Sequence, residues 1–256
     1  MVDTQLSERQ TSILNKVRST GFVGVDELAK AYELTTQTIR RDINVLCQLG
    51  LLRRVHGGAE EAVLQNNISY AARRILNPQA KHLIAQKVAH LTPEGASLAF
   101  SIGTTPEIVA KALINHRNLR FFTNNMNVAM AALRNPLSEV TIAGGRLRHG
   151  DADILGTKAE DFFNGYKFDI GIIGVAGIDS DGTLLDFHED EVAARQAIVK
   201  NCRQSILVVD QSKFGRQAHV RGGYLNEVTT IVCDCKPNGR FGKLLNELSN
   251  QVIYCS

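Results

Sequence analysis

Four short polar or glycine-rich segments follow apolar runs in the second part of the chain. The first is Gly103, Thr104 and Thr105, which follows the apolar run 97–102 and opens a helical segment. A glycine lets the backbone approach an anion, and the two hydroxyls together with the amides of a helix N-terminus can bind phosphate. A Gly-Thr-Thr sequence alone is more often an ordinary turn, so this interpretation depends on the other three segments.

The other three segments supply groups that could complete a site for a phosphorylated compound. Asn124 follows the strand-like residues 119–122 and could bind hydroxyl groups. Gly144 and Gly145 offer backbone groups without side chains, and Arg146 beside them carries a positive charge. Lys213, after the strand-like run 205–209, carries a second one. Because parallel α/β sheets bind ligands at the carboxyl ends of their strands, the sequence predicts one effector-binding site built from all four segments.

Alternating helical and strand-like segments from residue 78 onward are predicted to position these groups. Strand-like apolar runs occur at 97–102, 119–122, 140–143, 168–175, 205–209, 230–233 and 251–254, and helical patterns at 78–91, 106–114, 128–134 and 190–202. This alternation predicts a Rossmann-like α/β domain with a mostly parallel sheet. The run 168–175 should be a central strand buried on both faces. The core-facing positions predicted for the first helix are Leu83, Ile84, Val88 and Leu91.

The first sixty residues show a different pattern, typical of a helix-turn-helix. Ser7 with Gln10 forms a capping-box pattern before the first helix, and Gly21 is predicted to end that helix. A second helix is predicted over 26–32, followed by a polar turn. A third helix then carries an inward apolar stripe, Ile39, Ile43, Leu46 and Leu49.

The outward surface of this third helix and the segment after it suit double-stranded DNA. Short hydrogen-bonding groups can contact base edges while arginines bind phosphate or guanine, and the helix carries Thr36, Gln37, Thr38, Arg40 and Arg41. A strand over 51–55 and a predicted tight turn at Gly57-Gly58 would form a wing with Arg53, Arg54 and His56. The alternative is a small helical module for protein contacts, with solvated arginines.

Composition and charge restrict the other possibilities. The net charge of this 256-residue chain is only +3, so the case for DNA depends on local clustering of cations. The polar N-terminus does not resemble a secretory signal and no apolar run is long enough to span a bilayer, so we expect a soluble cytoplasmic protein without a membrane partner. The five cysteines are expected to be reduced thiols, and no cofactor or metal is predicted.

The string LTTQTIRRDINVLCQLGLLRRVHGGA, residues 34–59, closely resembles the DNA-binding signature of DeoR-type repressors. That signature has a T-I-R-R-D core, a G-L-L turn and an H-G-G-A wing, and all three are present in register. The resemblance implies a winged helix-turn-helix in which these residues face operator DNA: Thr36, Gln37, Thr38, Arg40 and Arg41.

The rest of the chain is similar to the sensor domain of the same family, through the strings IGTTPE, FTNNMNVA, IAGGRLR, ILG, GIIGVAGIDSDGTLLDF and VVDQSKFGR. The resemblance implies a fold related to ribose-5-phosphate isomerase and glucosamine-6-phosphate deaminase. Several strings are closest to one branch of the family, which implies a phosphorylated three-carbon polyol such as glycerol-3-phosphate as effector, with another sugar phosphate as the alternative. Ser101 departs from the family, which often has aspartate there, and this puts the fine specificity in doubt.

These observations predict a DNA-binding domain at 1–60, a linker at 61–77 and a metabolite-sensing domain at 78–256. The predicted function is repression of a catabolic operon by a homo-oligomer, a dimer or tetramer, that its effector releases from DNA. A sugar-phosphate isomerase is the alternative, and its candidate groups would include Asp179, Asp181 and Lys213. The DNA-binding module favours binding without turnover, so no catalytic residue is predicted. The acids 189–191 follow His188 but are not expected to converge on a metal ion.

Overall fold

The chain forms two compact units, Met1–Leu76 and Asn77–Ser256, and the computed structural model describes residues 6–62 and 67–255 of them. The predicted boundaries at 60, 61 and 77 remain predictions. The segment predicted as a linker contains a helix of the first unit, Tyr70–Ile75, and its residues 63–66 lie outside the described part of the chain. Among the described residues, no helix is both long enough and apolar enough to cross a lipid bilayer.

The first unit is a winged helix-turn-helix. Its elements in chain order are α1 (Glu8–Thr20), β1 (Phe22–Gly24), α2 (Val25–Ala31), α3 (Thr36–Gln48), β2 (Leu52–Val55), β3 (Gly58–Glu61) and α4 (Tyr70–Ile75). The three strands form an antiparallel sheet in the order β1-β3-β2.

Local signals in the sequence explain where α1 begins and ends. The Ser7 hydroxyl accepts a hydrogen bond from the Gln10 amide and the Gln10 side chain accepts one from the Ser7 amide, so the predicted capping box is confirmed. Gly21 ends α1 with a φ of 79°, as predicted. Of the predicted stripe on α3, three members are fully buried, and Leu49 caps the helix half-buried.

The turn of the wing differs by one residue from the prediction. Val55 pairs with Gly58 across the hairpin, so His56 and Gly57 form the turn and Gly58 begins β3. A Cβ on Gly58 would lie 2.2 Å from the Val23 carbonyl oxygen, so the close approach of β1 explains the second glycine.

The described residues of the second unit form six α-helices and ten strands, besides two short 3-10 helices. They are α5 (Pro78–Leu91), β4 (Ser97–Phe100), α6 (Thr104–Ala112), β5 (Arg120–Thr123), α7 (Met126–Ala132), β6 (Glu139–Ile142), α8 (Thr157–Asn164), β7 (Phe168–Ile173), β8 (Gly177–Ile178), β9 (Thr183–Asp186), α9 (Glu189–Asn201), β10 (Cys202–Val209), β11 (Val220–Tyr224), β12 (Thr230–Cys233), α10 (Gly239–Glu247) and β13 (Gln251–Tyr254).

Seven strands form one parallel sheet in the order β13-β12-β10-β7-β4-β5-β6, and helices cover both faces. One core layer includes Ile84 of α5, Val109 of α6 and Val128 of α7. The opposite layer includes Phe163 of α8 and Ile198 of α9. The sheet therefore has the predicted α/β architecture, and β7 is the central strand.

Some details of the second unit depart from the sequence prediction. Of the core positions predicted for α5, Ile84 and Val88 are buried as expected and Leu91 is half-buried. Leu83 is 41% exposed, because Lys81 rather than Leu83 shares the buried face with Ile84 and Val88. Helices α8 and α10 and the small antiparallel sheet β11-β9-β8 were not predicted. The strands of that sheet are short and carry glycine or charged residues, so they lack the apolar alternation that identifies a strand.

Candidate functional site

One exposed face of α3 carries the groups suited to DNA. Gln37, Arg40, Arg41 and Asn44 are all exposed, and their spacing of three, four and seven residues places them on the same side of the helix. The opposite side packs Ile39 and its neighbours into the core. A helix in the major groove needs such a polar face supported by a buried apolar one.

The two threonines predicted to face DNA are less accessible. Thr36 and Thr38 are half-buried in the first turn of α3. The hydroxyl of Thr35, the N-cap, accepts from the Thr38 amide at 3.3 Å and lies 3.0 Å from the Thr38 hydroxyl. The Thr38 side chain therefore contacts the cap that fixes the start of α3.

The two arginines of the wing face different partners. Arg54 Nη1 donates to Asn44 Oδ1 at 3.3 Å, which places its side chain beside the polar face of α3. Arg53 Nε donates to Glu60 Oε1 on β3 at 2.7 Å, on the other side of the strand. His56 is exposed at the turn. The structure thus joins Arg54, rather than Arg53, to the α3 face.

Sequence reasoning missed the role of Asp42 within the T-I-R-R-D core. This carboxylate is buried and accepts from Arg9 Nε at 2.6 Å and from Gln10 Nε2 at 3.1 Å. Both partners belong to α1, so Asp42 holds α3 against α1 and helps to fix the angle between the two helices. No local signal identifies this role, because the partners lie more than thirty residues away.

In the second unit, the order of the strands decides which predicted effector residues can meet. Gly103 follows β4, and Asn124 follows the neighbouring β5. Gly144 follows β6, two strands from β4 on one side, and Lys213 follows β10, two strands away on the other. Adjacent strands are about 4.8 Å apart, so the ends of β6 and β10 are separated by about 19 Å. The loops must bridge that distance for all four segments to meet one small ligand.

The end of β4 has the geometry of an anion site. Gly103 caps α6 with a φ of 137°, a value that favours glycine, and a Cβ there would lie 3.1 Å from Pro106 Cδ. Thr104 and Thr105 open α6, and the amides of a first helical turn have no partner within their helix. The Ser101 hydroxyl accepts from the Gly174 amide at 3.1 Å, so a serine here ties β4 to the end of β7.

Asn124 is fully buried at the end of β5. Its Nδ2 donates to the Ile154 carbonyl at 2.8 Å, and among the described residues its Oδ1 has no hydrogen-bond partner. A buried acceptor without a donor is costly, so this atom suits a ligand hydroxyl. The neighbouring Asn125 is structural, because its Oδ1 accepts from the amides of Asn127 and Val128 at the start of α7.

Lys213 lies beside a buried carboxylate at the end of β10. Burial acts to raise the pKa of Asp210, but Lys213, the Ser212 hydroxyl and Lys81 together hold it below its ordinary value. Asn77 Nδ2 also donates to Asp210 Oδ1 at 3.0 Å. A phosphate at Lys213 would therefore bind next to an existing charge network.

The loop after β6 places its two arginines differently. Gly144, Gly145 and Arg146, the predicted effector residues, are all exposed. Arg148 instead binds three carboxylates through Nη2, at 3.2, 2.8 and 2.6 Å respectively from Asp151, Asp153 and Glu191. Glu191 belongs to α9, so Arg148 fastens the loop to a distant helix.

The three carboxylates around Arg148 come from two parts of the chain. Of the acids at 189–191, Glu191 is the one that meets Asp151 and Asp153, with ligand oxygens within 4.8 Å of one another. The guanidinium occupies the position that a metal ion would need. Burial raises the pKa of both Glu191 and Asp153, and Arg148 opposes that shift.

Two family models match the two parts of the chain. The DeoR-like helix-turn-helix domain matches residues 9–62, and the DeoR C terminal sensor domain matches residues 76–235. This chain belongs to the DeoR family of transcriptional regulators. It is a DeoR-family repressor with a DNA-binding domain and a sensor domain, as the resemblance implied.

Curated relatives match this DeoR-family chain over nearly its full length. The glycerol-3-phosphate regulon repressor of Escherichia coli (strain K12) is 40% identical over 97% of this chain and 99% of its own. That of Haemophilus influenzae is 41% identical over 98% and 97%. The HTH-type transcriptional repressor CsqR of Escherichia coli is 34% identical over 96% and 94%.

Solved structures that overlap part of this DeoR-family chain include ribose 5-phosphate isomerases. Ribose 5-phosphate isomerase from Plasmodium falciparum gives a TM-score of 0.38 at 14% identity, over 52% of each chain. Ribose 5-phosphate isomerase A from Neisseria gonorrhoeae gives 0.40 at 13% identity, over 56% of this chain and 55% of its own. The assignment of an α/β fold rests on the strand order above.

Proposed function

We propose that this repressor controls a catabolic operon and leaves its operator when glycerol-3-phosphate binds the sensor domain. The identity of about 40% to two glycerol-3-phosphate regulon repressors over nearly the whole chain carries this proposal. It acts in the cytoplasm as a homo-oligomer, because a helix-turn-helix protein reads a two-fold operator with two copies.

The face formed by α3 and Arg54 would enter the major groove. Gln37 and Asn44 are suited to base edges, and Arg40 and Arg41 to guanine or phosphate. The tip of the wing, with His56, would lie along the backbone. Thr36 and Thr38 would contribute through the start of the helix, and Arg53 through phosphate contacts that compete with Glu60.

The effector would bind across the ends of β4 and β5. The amides of Thr104 and Thr105, next to Gly103, would bind its phosphate, with Lys213 as the counter-charge. Asn124 Oδ1 would accept a hydrogen bond from a hydroxyl of the polyol. The loop with Gly144, Gly145 and Arg146 would close over the ligand from the β6 side.

We also propose that the sensor domain binds this compound without converting it. Two acids that an isomerase could use, Asp179 and Asp181, accept hydrogen bonds from nearby backbone amides. Asp179 Oδ1 accepts from the Ser180 amide at 2.6 Å, and Asp181 Oδ1 accepts from the Thr183 amide at 2.9 Å. Both are exposed in the turn between β8 and β9. These contacts support a structural role for the two carboxylates.

A thermal-shift titration of the full-length chain tests the effector assignment. Glycerol-3-phosphate should raise the melting temperature by mass action, and glycerol should not. Lys213→Ala should lose that shift and keep its affinity for DNA, whereas Arg40→Ala should lose DNA affinity and keep the shift. A response to a hexose or pentose phosphate alone would replace the effector. Turnover of ribose-5-phosphate would contradict binding without catalysis.

A further inference from the structure

The carboxyl ends of β4 and β7 border a crevice of the kind that binds ligands in parallel α/β domains. The two strands are neighbours in the sheet, but the helices that follow them cover opposite faces. The first helix after β4 is α6, which packs in the core layer of Ile84 and Val109, whereas the first helix after β7 is α9, which packs in the layer of Phe163 and Ile198. Such a change of side leaves a gap between adjacent strand ends, and ligands bind in it. We call this gap the β4-β7 crevice.

The first turns of α6 and α9 lie on the two sides of this crevice. A helix that connects two parallel strands runs antiparallel to them, so its first turn lies at the carboxyl end of the sheet. Thr104 and Thr105 open α6, and three acids, residues 189–191, lie in the first turn of α9. Glu189 and Asp190 are exposed, whereas Glu191 is only 7% exposed. Glu191 is therefore the acid of this turn that points toward the rest of the domain.

Arg148 connects Glu191 to the opposite side of β4. Its Nη2 donates to Glu191 Oε1 at 2.6 Å and to Asp153 Oδ2 at 2.8 Å. The residue after Asp153 is anchored at the end of β5, because the Ile154 amide donates to the Asn124 carbonyl and the Asn124 side chain donates to the Ile154 carbonyl, both at 2.8 Å. In the sheet, β4 lies between β5 and β7. The contacts from Asn124 to Glu191 therefore span the end of β4 on the α9 side of the crevice.

This side of the crevice carries more carboxylates than cations. Three carboxylates share the single guanidinium of Arg148. A fourth, Asp186, lies close enough to act on Glu191, but it forms its own buried ion pair with Arg195 Nη2 at 2.7 Å. The other arginine of the loop after β6, Arg146, is exposed. A negatively charged group placed next to Glu191 would therefore meet mostly like charges.

Glu191 and Asn124 both offer hydrogen-bond acceptors at this end of the sheet. Among the described residues, Glu191 accepts a hydrogen bond only from Arg148, through Oε1, which leaves Oε2 available. The Oδ1 of Asn124 is buried and has no partner among the same residues. A ligand group that binds here must therefore donate hydrogen bonds and carry no negative charge. A hydroxyl meets both requirements, whereas a carboxylate only accepts and would lie beside like charges.

We propose that Glu191 makes the sensor domain specific for phosphorylated compounds with a neutral hydroxyl at the end opposite the phosphate, and that it excludes phosphorylated acids. The inference rests on the proposed function, which places the phosphate at Thr104 and Thr105 on the other side of the crevice. Glu191 Oε2 accepts a hydrogen bond from the terminal hydroxyl, and Asn124 Oδ1 accepts one from the hydroxyl next to it. A terminal carboxylate has no proton to donate and is repelled by the acids around Arg148.

Isothermal titration calorimetry on the full-length wild type tests this specificity with two matched pairs of compounds. One pair is glycerol-3-phosphate and 3-phosphoglycerate, both as racemates, and the other is glucitol-6-phosphate and 6-phosphogluconate. Within each pair, only the group at the end opposite the phosphate changes, from a hydroxymethyl group to a carboxylate. In the pair whose chain length suits the site, the acid should bind at least about 100-fold more weakly than the polyol.

Glu191→Gln removes the charge and keeps the size of the side chain. It should weaken binding of the polyol about tenfold and strengthen binding of the acid about tenfold. A gain in affinity cannot come from a misfolded chain, so the variant reports on its own folding. Glu189→Gln is the matched control, because it makes the same change two residues earlier at an exposed position, and it should leave both affinities unchanged.

Three results would each overturn the role of Glu191: equal wild-type affinities for the polyol and the acid of a pair, the wild-type ratio of affinities in Glu191→Gln, or the same change of ratio in Glu189→Gln. Absence of binding by all four compounds would overturn both the effector assignment and this inference. Binding of glucitol-6-phosphate without glycerol-3-phosphate or either acid would replace the proposed effector and support the role of Glu191.

Discussion

Two neighbouring arginines of the DNA-binding unit have different partners, and their positions in the sequence do not predict this difference. Arg53 and Arg54 are adjacent and both exposed, yet one pairs with Glu60 and the other with Asn44 of α3. The alternation of a β-strand separates them. A sequence pattern predicts that both belong to the wing, whereas the partner of each depends on the register of β2 and β3.

This difference predicts unequal effects of two matched substitutions. Arg54→Ala should weaken binding to a duplex selected from random-sequence DNA by about tenfold and lower the slope of log affinity against log salt by about one. Arg53→Ala should weaken binding less than Arg54→Ala, because Glu60 already neutralises its charge. Fluorescence anisotropy at several salt concentrations measures both. Equal losses for the two variants would contradict the assignment of Arg54 to the α3 face.

Asp210 gives a prediction about pH. Its pKa is lowered in the folded chain, so its charged form contributes stability above the unfolded value of about 3.9, and that contribution is lost as pH falls through the lower folded pKa. Asp210→Asn should therefore cost about 3 kcal/mol at pH 7, because it removes a buried negative charge that Lys213, the Ser212 hydroxyl and Lys81 stabilise. Urea unfolding at pH 7 and below pH 4 should show the difference narrowing in acid. A difference independent of pH would show that the charge of Asp210 is not what stabilises the fold.

At the scale of elements, the ion pairs of Arg148 connect the loop after β6 to α9. The sequence could not predict this link, because Glu191 is forty-three residues from Arg148 and the intervening chain includes the helix α8 and three strands. Arg146 follows two glycines in the same loop, and the sequence analysis assigned it, rather than Arg148, a functional role. Only the folded loop distinguishes the arginine that is caged by carboxylates from the one that is exposed.

Arg148→Met should destabilise the second unit by about 3 kcal/mol at pH 7, because it leaves three clustered carboxylates without their cation. The pKa values of Glu191 and Asp153 are already raised by burial, so these groups take up protons readily as pH falls. The loss should shrink between neutral pH and about pH 5, since protonation relieves the repulsion. Denaturant unfolding at both pH values measures it.

Arg146→Met is the matched control from the same loop. It should leave stability unchanged and reduce the affinity for glycerol-3-phosphate, since Arg146 is exposed where the proposed ligand would bind. A stability loss equal to that of Arg148→Met would contradict the different roles assigned to the two arginines.

The elements themselves were largely predictable, and their assembly was not. The bounds of α5, β12 and β13 match the prediction, because strong apolar patterns and flanking proline or polar residues mark them. The order of the strands in the sheet could not be predicted, since β10 lies beside β7 although β8, β9 and α9 come between them in sequence. That order places the end of β7, with Gly174, between the strands that precede Gly103 and Lys213, and the sequence analysis included no residue from this strand end among the predicted effector-binding residues.

In the whole molecule, release from DNA by an effector requires that binding to the sensor domain changes the DNA affinity of the other unit. A ligand that releases DNA must bind the DNA-free form more tightly, and linkage makes the effect mutual. A coupling of 10- to 100-fold corresponds to about 1.4–2.8 kcal/mol, which is within the usual range for allosteric proteins. Pairing of two copies would supply the symmetry that lets a change in the sensor domains alter the spacing of two recognition helices.

The most direct test of that coupling is to measure both affinities on one preparation of the full-length chain. The affinity for the selected duplex is measured with and without saturating glycerol-3-phosphate, and the affinity for glycerol-3-phosphate with and without the duplex. We expect each ligand to weaken the binding of the other by the same factor, at least about tenfold, and glycerol to have no effect. Tight binding of both ligands at once, with neither affinity changed, would contradict it.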